Sequence, residues 1–187
     1  MISAFISAIF NAIGVTFDKL IVSSKYMSGL SMIKLRLFYI SILMIIPIVF
    51  FGSLQPDFFT PKYILKFVAL VINDLVLNLL FYSVLRKKKL SEIEPITLLA
   101  TPMTMFFAML IFSSERSPSI LIISIIATLA LLISRFERKH LNFDKYSWLL
   151  IGFCITSAIE VILMKYLLGV SNAISIYGLR TVCIVII

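Results

Sequence analysis

The chain has 187 residues, of which 61% are hydrophobic and 14% charged, with a mean hydropathy of +1.10 and a net charge of +8. A soluble domain is about half apolar and about a quarter charged, so this apolar excess excludes that class and calls for a lipid bilayer. The cations cluster between apolar stretches, where they face headgroups and cytoplasm, so the charge does not indicate a nucleic-acid partner.

In chain order, the first apolar span runs from about Ile2 to Val22 and ends with Lys19. It lacks a basic leader and a small-residue cleavage site, so it does not read as a signal peptide. The second runs from Ile33 to Gly52, with Lys34 and Arg36 near its start and Pro47 inside; the third runs from Tyr63 to Leu85. The fourth covers Pro95 to Phe112, the fifth Pro118 to Ser134 and the sixth Trp148 to Leu168; a seventh opens near Ala173. Most approach the ~20 residues that cross a bilayer as a helix. Period-2 alternation is absent, which argues against a β-barrel. The expected fold class is therefore all-α, a polytopic membrane helix bundle. The connections are short and rich in breakers or charge, as at Gln55-Pro56-Asp57, Arg86 to Lys89 and Ser113 to Pro118; the longest is Arg135 to Tyr146. Cys154 and Cys183 lie in apolar runs as small buried hydrophobes, and His140 lies in a charged loop. Neither metal nor cofactor chemistry has a motif here, and no nucleophile–base set or phosphate loop points to an enzyme.

Polar residues inside spans are the candidate functional residues, because they are costly in lipid. Asp74, Asn78 and Tyr82 stand at i, i+4 and i+8 of the third span and share one helix face, with Asn73 beside them. They read either as a stripe facing a watery cavity or as interhelical hydrogen bonds. Thr97, Thr101 and Thr104 form a similar stripe on the fourth span, around Pro102, whose missing N–H predicts a helix kink. Glu160 lies inside the sixth span, five residues before Lys165. It is the sharpest candidate for coupling to protons or substrate, the alternative being a structural Glu160–Lys pair.

A repeat runs through the chain. Ala12-Ile13-Gly14-Val15 with Lys19 returns as Ala158-Ile159-Glu160-Val161 with Lys165, and Ser31 to Ile40 returns as Ser175 to Ile184, carrying Arg36 onto Arg180. Lys and Arg are 17 apart in the first copy and 15 in the second. The recurrence of Lys19 and Arg36 as Lys165 and Arg180 predicts a shared role, as anchors or as anion contacts. Five spans precede the restart. An odd number forces the second copy to enter from the opposite side, which is an inverted-topology repeat. The expected units are 1–145, a first five-helix repeat, and 146–187, the start of a second. A complete second unit would bring the chain to roughly 290 residues and ten spans. The sequence reads either as a fragment of that longer chain or as a natural truncation.

The stretch Tyr82 to Phe136 resembles the EamA-type unit of the drug/metabolite transporter superfamily. It has a span ending in Tyr82-x-x-Leu85, a short turn, a span with central Pro102, and Glu115 closing that span 13 residues later, before another apolar span. Arg36 and Arg180 match the family's Arg early in the second and seventh spans. Departures are Ser114 in place of the usual Gly, and Ser124 and Leu131 at Gly positions of the fifth span. The resemblance implies a secondary transporter with ten helices in two inverted halves and a cavity between them. It would move amino acids, other metabolites, nucleotide sugars or drugs across the cell's inner membrane. Ala158 to Lys165 also resembles the first helix of the small multidrug resistance proteins, which implies a proton-exchanging role for Glu160. The implied partners are a small-molecule substrate, protons, the bilayer, and either a second copy or a missing C-terminal half. The other reading is a half-transporter or lipid-carrier translocase that pairs with another chain.

Assigning each cation to its nearest loop puts twelve of the 17 on the side opposite the N-terminus. The positive-inside rule makes that side cytoplasmic, whereas the resemblance implies a cytoplasmic N-terminus; both orientations stand.

Overall fold

A computed structural model describes residues 12–21, 29–136 and 144–186. The start of the first span, Lys25, and Arg138, Lys139 and His140 of the longest connection lie outside the described residues. Residues 12–21 form helix α1. It is followed by α2 (Gly29–Phe51), α3 (Pro61–Leu85), α4 (Leu90–Thr97), α5 (Ala100–Ile111), α6 (Pro118–Phe136), α7 (Lys145–Leu167) and α8 (Ala173–Ile186), with short 3₁₀ turns at Pro56–Phe59 and Ser113–Glu115. Apart from one isolated antiparallel bridge between Leu54 and Ser171, the described residues are helices and their connections.

Among these, α2 (from Ser31), α3, α7 and the combined α4–α5 segment are long and apolar enough to cross a membrane. Their outward faces carry large apolar side chains, with Leu65 72%, Val49 72% and Phe50 75% exposed. A surface of that kind would drive aggregation in water and is solvated by acyl chains in a bilayer. The protein is therefore an all-α, multi-pass membrane helix bundle.

The boundaries differ from the sequence reading at the fourth span. It begins at Leu90 rather than Pro95, because Ile93 and Ile96 are buried and draw the earlier turn into the bundle. The span is also split in two at Leu98–Leu99. Pro102 cannot donate to the Leu98 carbonyl, and the Thr101 N–H reaches that carbonyl only at 3.4 Å. Both Leu98 and Leu99 keep right-handed helical dihedrals, so the span tightens at this point and does not unwind. The sixth span starts earlier than Trp148 for a capping reason. Asp144 accepts hydrogen bonds from the Tyr146 and Ser147 N–H groups, both at 3.1 Å, and Ser147 completes a capping box.

Helix α3 is the centre of the bundle. It runs antiparallel to α7, with Asn73 against Thr156 and Phe81 against Phe153. Two buried apolar clusters hold the ends. One gathers Tyr82, Val84, Leu85, Ile93 and Leu150 toward the C-terminus of α3 and extends back to Val71. The other gathers Phe58, Leu70, Leu167 and Ile176 toward its N-terminus.

Helices α2 and α8 also run antiparallel, and the connections that follow α2 and α7 are stapled together. The Ser53 N–H donates to Ser175 Oγ at 2.9 Å and Ser171 Oγ donates to the Ser53 carbonyl at 3.0 Å. Asn172 accepts from the Ser175 N–H at 2.9 Å, capping α8, while its amide donates to the Phe51 carbonyl. One turn further in, α8 presents Gly178 to α2. A Cβ there would stand 2.1 Å from Ile48 Cδ1 and 2.8 Å from Ile48 Cγ1. Close approach of this kind is how small residues join helices in lipid, where no hydrophobic effect draws them together.

Replacing Gly178 with Leu should therefore destabilise the protein by roughly 1–3 kcal/mol through overpacking. Adding Ile48→Ala should recover part of that loss, as read by thermal unfolding in detergent. Equal stability of Gly178→Leu and the parent would contradict the close α2–α8 crossing.

Candidate functional site

The polar stripe of α3 meets an arginine at each end. Toward its C-terminus, the Tyr82 hydroxyl donates to Asp18 Oδ2 on α1 at 2.8 Å and accepts from Arg36 Nη1 on α2 at 2.5 Å. Arg36 Nη1 also lies 3.3 Å from Asp18 Oδ2, closing a triangle of three helices. Eight residues earlier, Asp74 Oδ2 lies 3.2 Å from Arg180 Nε on α8, within ion-pair reach but outside hydrogen-bond geometry. Arg180 Nη1 donates to Glu160 Oε1 on α7. Asn78 stands between the two clusters and donates to Asp74 Oδ1 at 3.0 Å. Arg180 also stacks over the Tyr177 ring, 4.9 Å from its centroid.

These clusters are buried differently. The side chains of Arg180 and Asp74 are each 7% exposed, and Glu160 21%. Arg36 is 40% exposed, while its partner Asp18 is 11%. The charges also sum differently. Arg36 and Asp18 cancel, whereas Arg180 faces two carboxylates. The embedded Arg180 cluster thus has one negative charge in excess when both acids are ionised, and charge in a low-dielectric interior is costly unless matched.

Asn73, beside the stripe, donates to the Thr156 carbonyl at 2.9 Å and so ties α3 to α7. Lys19 and Lys165, which the repeat paired, have different surroundings. Lys19 Nζ donates to the Leu85 carbonyl and, at 2.7 Å, to the Lys88 carbonyl, so it caps the C-terminus of α3. Lys165 Nζ sits 4.4 Å from the Phe112 ring centroid. Glu160 pairs with Arg180. Of the threonine stripe, Thr104 donates to the Ala100 carbonyl at 2.8 Å and Thr97 to the Glu94 carbonyl at 2.9 Å, both within their own span.

Beside the Arg36 cluster lies a cavity of about 490 Å³. Its walls include Thr16, Arg36, Asn78, Phe81, Glu94, Thr97 and Phe153. The sequence reading had singled out Arg36, Asn78 and Thr97 of these. It had passed over Thr16 and Glu94, and likewise Asp18 in the adjoining cluster. Asp18 carried the signal that drew attention to Asp74, a carboxylate inside an apolar run.

The end of the bundle beyond this cavity is clamped. Lys88, in the turn after α3, lies 2.9 Å from Glu92 at the start of α4 and 2.9 Å from Asp144 at the cap of α7. The Glu92 carboxylate, followed by Asp144, holds the Lys88 ammonium above the usual lysine range. Lys88 in turn holds Asp144 below the usual carboxylate range. The Asp144 contribution is present above the ordinary carboxylate range and is lost as pH falls through its lowered value. The Lys88 contribution is lost as pH rises through its raised value. Between the ordinary carboxylate and the ordinary lysine ranges the Lys88 and Asp144 contributions are both present in full.

Fold and site together define a multi-pass membrane protein with paired charges inside its helix bundle. Family models, curated proteins and solved structures give no match to the chain.

Tyr82→Phe removes a buried hydroxyl that donates to Asp18 and accepts from Arg36. It should lower stability by roughly 1–3 kcal/mol, as measured by thermal unfolding in detergent; an unchanged transition would contradict the Asp18–Tyr82–Arg36 triangle.

Proposed function

We propose that this protein is a secondary transporter of a small organic solute in the cell membrane. The observation that carries the reading is the buried Asp74–Arg180–Glu160 cluster. Ionisable groups inside a membrane bundle mark ion and substrate pathways, because their burial costs more than packing alone would justify. The excess negative charge in this cluster is the reason to assign it coupling. One proton on Asp74 or Glu160 balances Arg180, and release of that proton restores the imbalance. A site with two charge states of different cost can bias a bundle between two arrangements.

The inverted repeat of an EamA-type transporter is part of the same proposal. It is supported by the antiparallel run of α2 and α8, the helices that carry Arg36 and Arg180. It is supported further by a common pattern of partners. Each arginine binds a carboxylate on the preceding helix, Asp18 of α1 or Glu160 of α7, and each reaches the stripe of α3. Two such units related by a pseudo-two-fold axis would rock against each other about the α3 stripe, with the coupling site near the midplane.

The test is solute-driven proton movement in proteoliposomes holding a pH dye, challenged with a panel of amino acids, other metabolites and cationic drugs. The parent should respond to at least one solute. Asp74→Asn and Glu160→Gln should each reduce the coupled proton signal by more than about tenfold, of the order of a single proton-transfer group's contribution. Wild-type proton and solute movement in the double variant would overturn the reading.

A further inference from the structure

Where α3 begins and α7 ends, lysines and aromatic rings meet. The antiparallel packing of the two helices brings these ends together. Lys66 Nζ lies 3.7 Å from the centroid of the Tyr166 ring and 5.6 Å from that of Tyr63, and Lys62 Nζ lies 5.7 Å from that of Tyr63. Tyr166 in turn packs on Phe112, with 5.0 Å between centroids, and Phe112 carries Lys165 on its face. These lysines stand on the less basic side of the bundle, so the charge bias that sets topology does not account for them.

The arrangement suits the edge of a bilayer. Lys66 lies about 7.5 Å beyond the start of α3 at Pro61, a depth from which a lysine stem reaches the headgroups. Tyrosine rings favour the same layer. A ring face engages one side of an ammonium, and the N–H donors turned away from the ring are left for an acceptor. Among the described residues, neither Lys62 nor Lys66 has a carboxylate within ion-pair reach. Positions i and i+4 are neighbours on a helix surface, so both ammonium groups can reach one phosphate. Beside and below them, Leu65, Ala69, Ile72 and Val76 follow at i, i+4, i+7 and i+11 as one exposed apolar stripe.

We propose that this end of α3 is a binding site for an anionic phospholipid. The phosphate lies between Lys62 and Lys66, with Lys66 held by the Tyr166 ring, and an acyl chain lies along the stripe from Leu65 to Val76. Cations at the interface with an apolar stripe leading inward match a lipid, headgroup outward and chain inward. A free phosphate would use the lysines alone and leave the stripe without a role. The site is independent of the transport reading and stands or falls without it.

The test places the whole chain in phosphatidylcholine bilayers with a rising fraction of brominated phosphatidylglycerol, whose bromines quench tryptophan on contact. Trp148 is the chain's one tryptophan and is exposed. Trp148→Phe combined with Leu65→Trp moves the reporter onto the stripe, and quenching then gives the preference for phosphatidylglycerol at that spot. It should be about thirtyfold, at about fivefold for each lysine. Lys62→Gln should lower it about fivefold, and Lys62→Gln/Lys66→Gln should abolish it. Lys62→Arg/Lys66→Arg should keep it, since arginine also binds phosphate and stacks on rings. With Leu43→Trp as the reporter instead, at an exposed position in the middle of α2, no preference is expected. No preference at Leu65→Trp, one that survives Lys62→Gln/Lys66→Gln, or an equal one at Leu43→Trp would overturn the proposal. So would loss of the preference when inorganic phosphate is added to the buffer, because the occupant would then be an aqueous anion.

Discussion

Charge inside an apolar bundle has to be matched, and in this protein helix α3 does the matching. Its stripe of Asp74, Asn78 and Tyr82 receives Arg180 from α8 at one end and Arg36 from α2 at the other. Asp18 and Glu160 complete the two clusters from α1 and α7. Lipid offers no hydrophobic drive between helices, so packing and polar contacts set the arrangement. Five helices are placed by these few groups, with the Gly178 crossing fixing how closely α2 and α8 approach. The cavity beside Arg36 exists because α1 and α4 are held around that end of the stripe.

The two clusters are alike in plan and unlike in state. The Arg36 cluster is half-exposed and electrically balanced, with a tyrosine where the other has a second carboxylate. The Arg180 cluster is buried and unbalanced. The balanced one borders a cavity. That difference follows from one exchange in plan, Tyr82 against Asp74.

Much of this was legible in the sequence, for reasons that can be stated. The stripe showed through its four-residue period, and the spans through their apolar lengths, because both are local properties. Arg36 and Arg180 were found as repeated cations within or beside apolar runs. Asp18 was overshadowed by Lys19, whose recurrence drew the reading to snorkelling ends instead of buried pairs. Glu94 was lost to a boundary. Pro95 looked like the first residue of a helix, but the packing of Ile93 and Ile96 starts that helix at Leu90 and turns Glu94 into a cavity wall. The repeat paired Lys19 with Lys165, yet one caps α3 and the other lies on an aromatic ring. Sequence spacing specifies depth along a helix, and the neighbours at that depth are set by the other helices.

The central claim is that Arg180 is held in the bundle by the two carboxylates it faces. The most direct test compares the thermal stability of Arg180→Gln with that of the triple variant Asp74→Asn/Glu160→Gln/Arg180→Gln. Removing the arginine alone leaves two buried carboxylates facing each other and should cost about 3–5 kcal/mol. The triple variant has no buried charge there and should recover most of that loss. A triple variant as unstable as Arg180→Gln, or an Arg180→Gln as stable as the parent, would contradict the account.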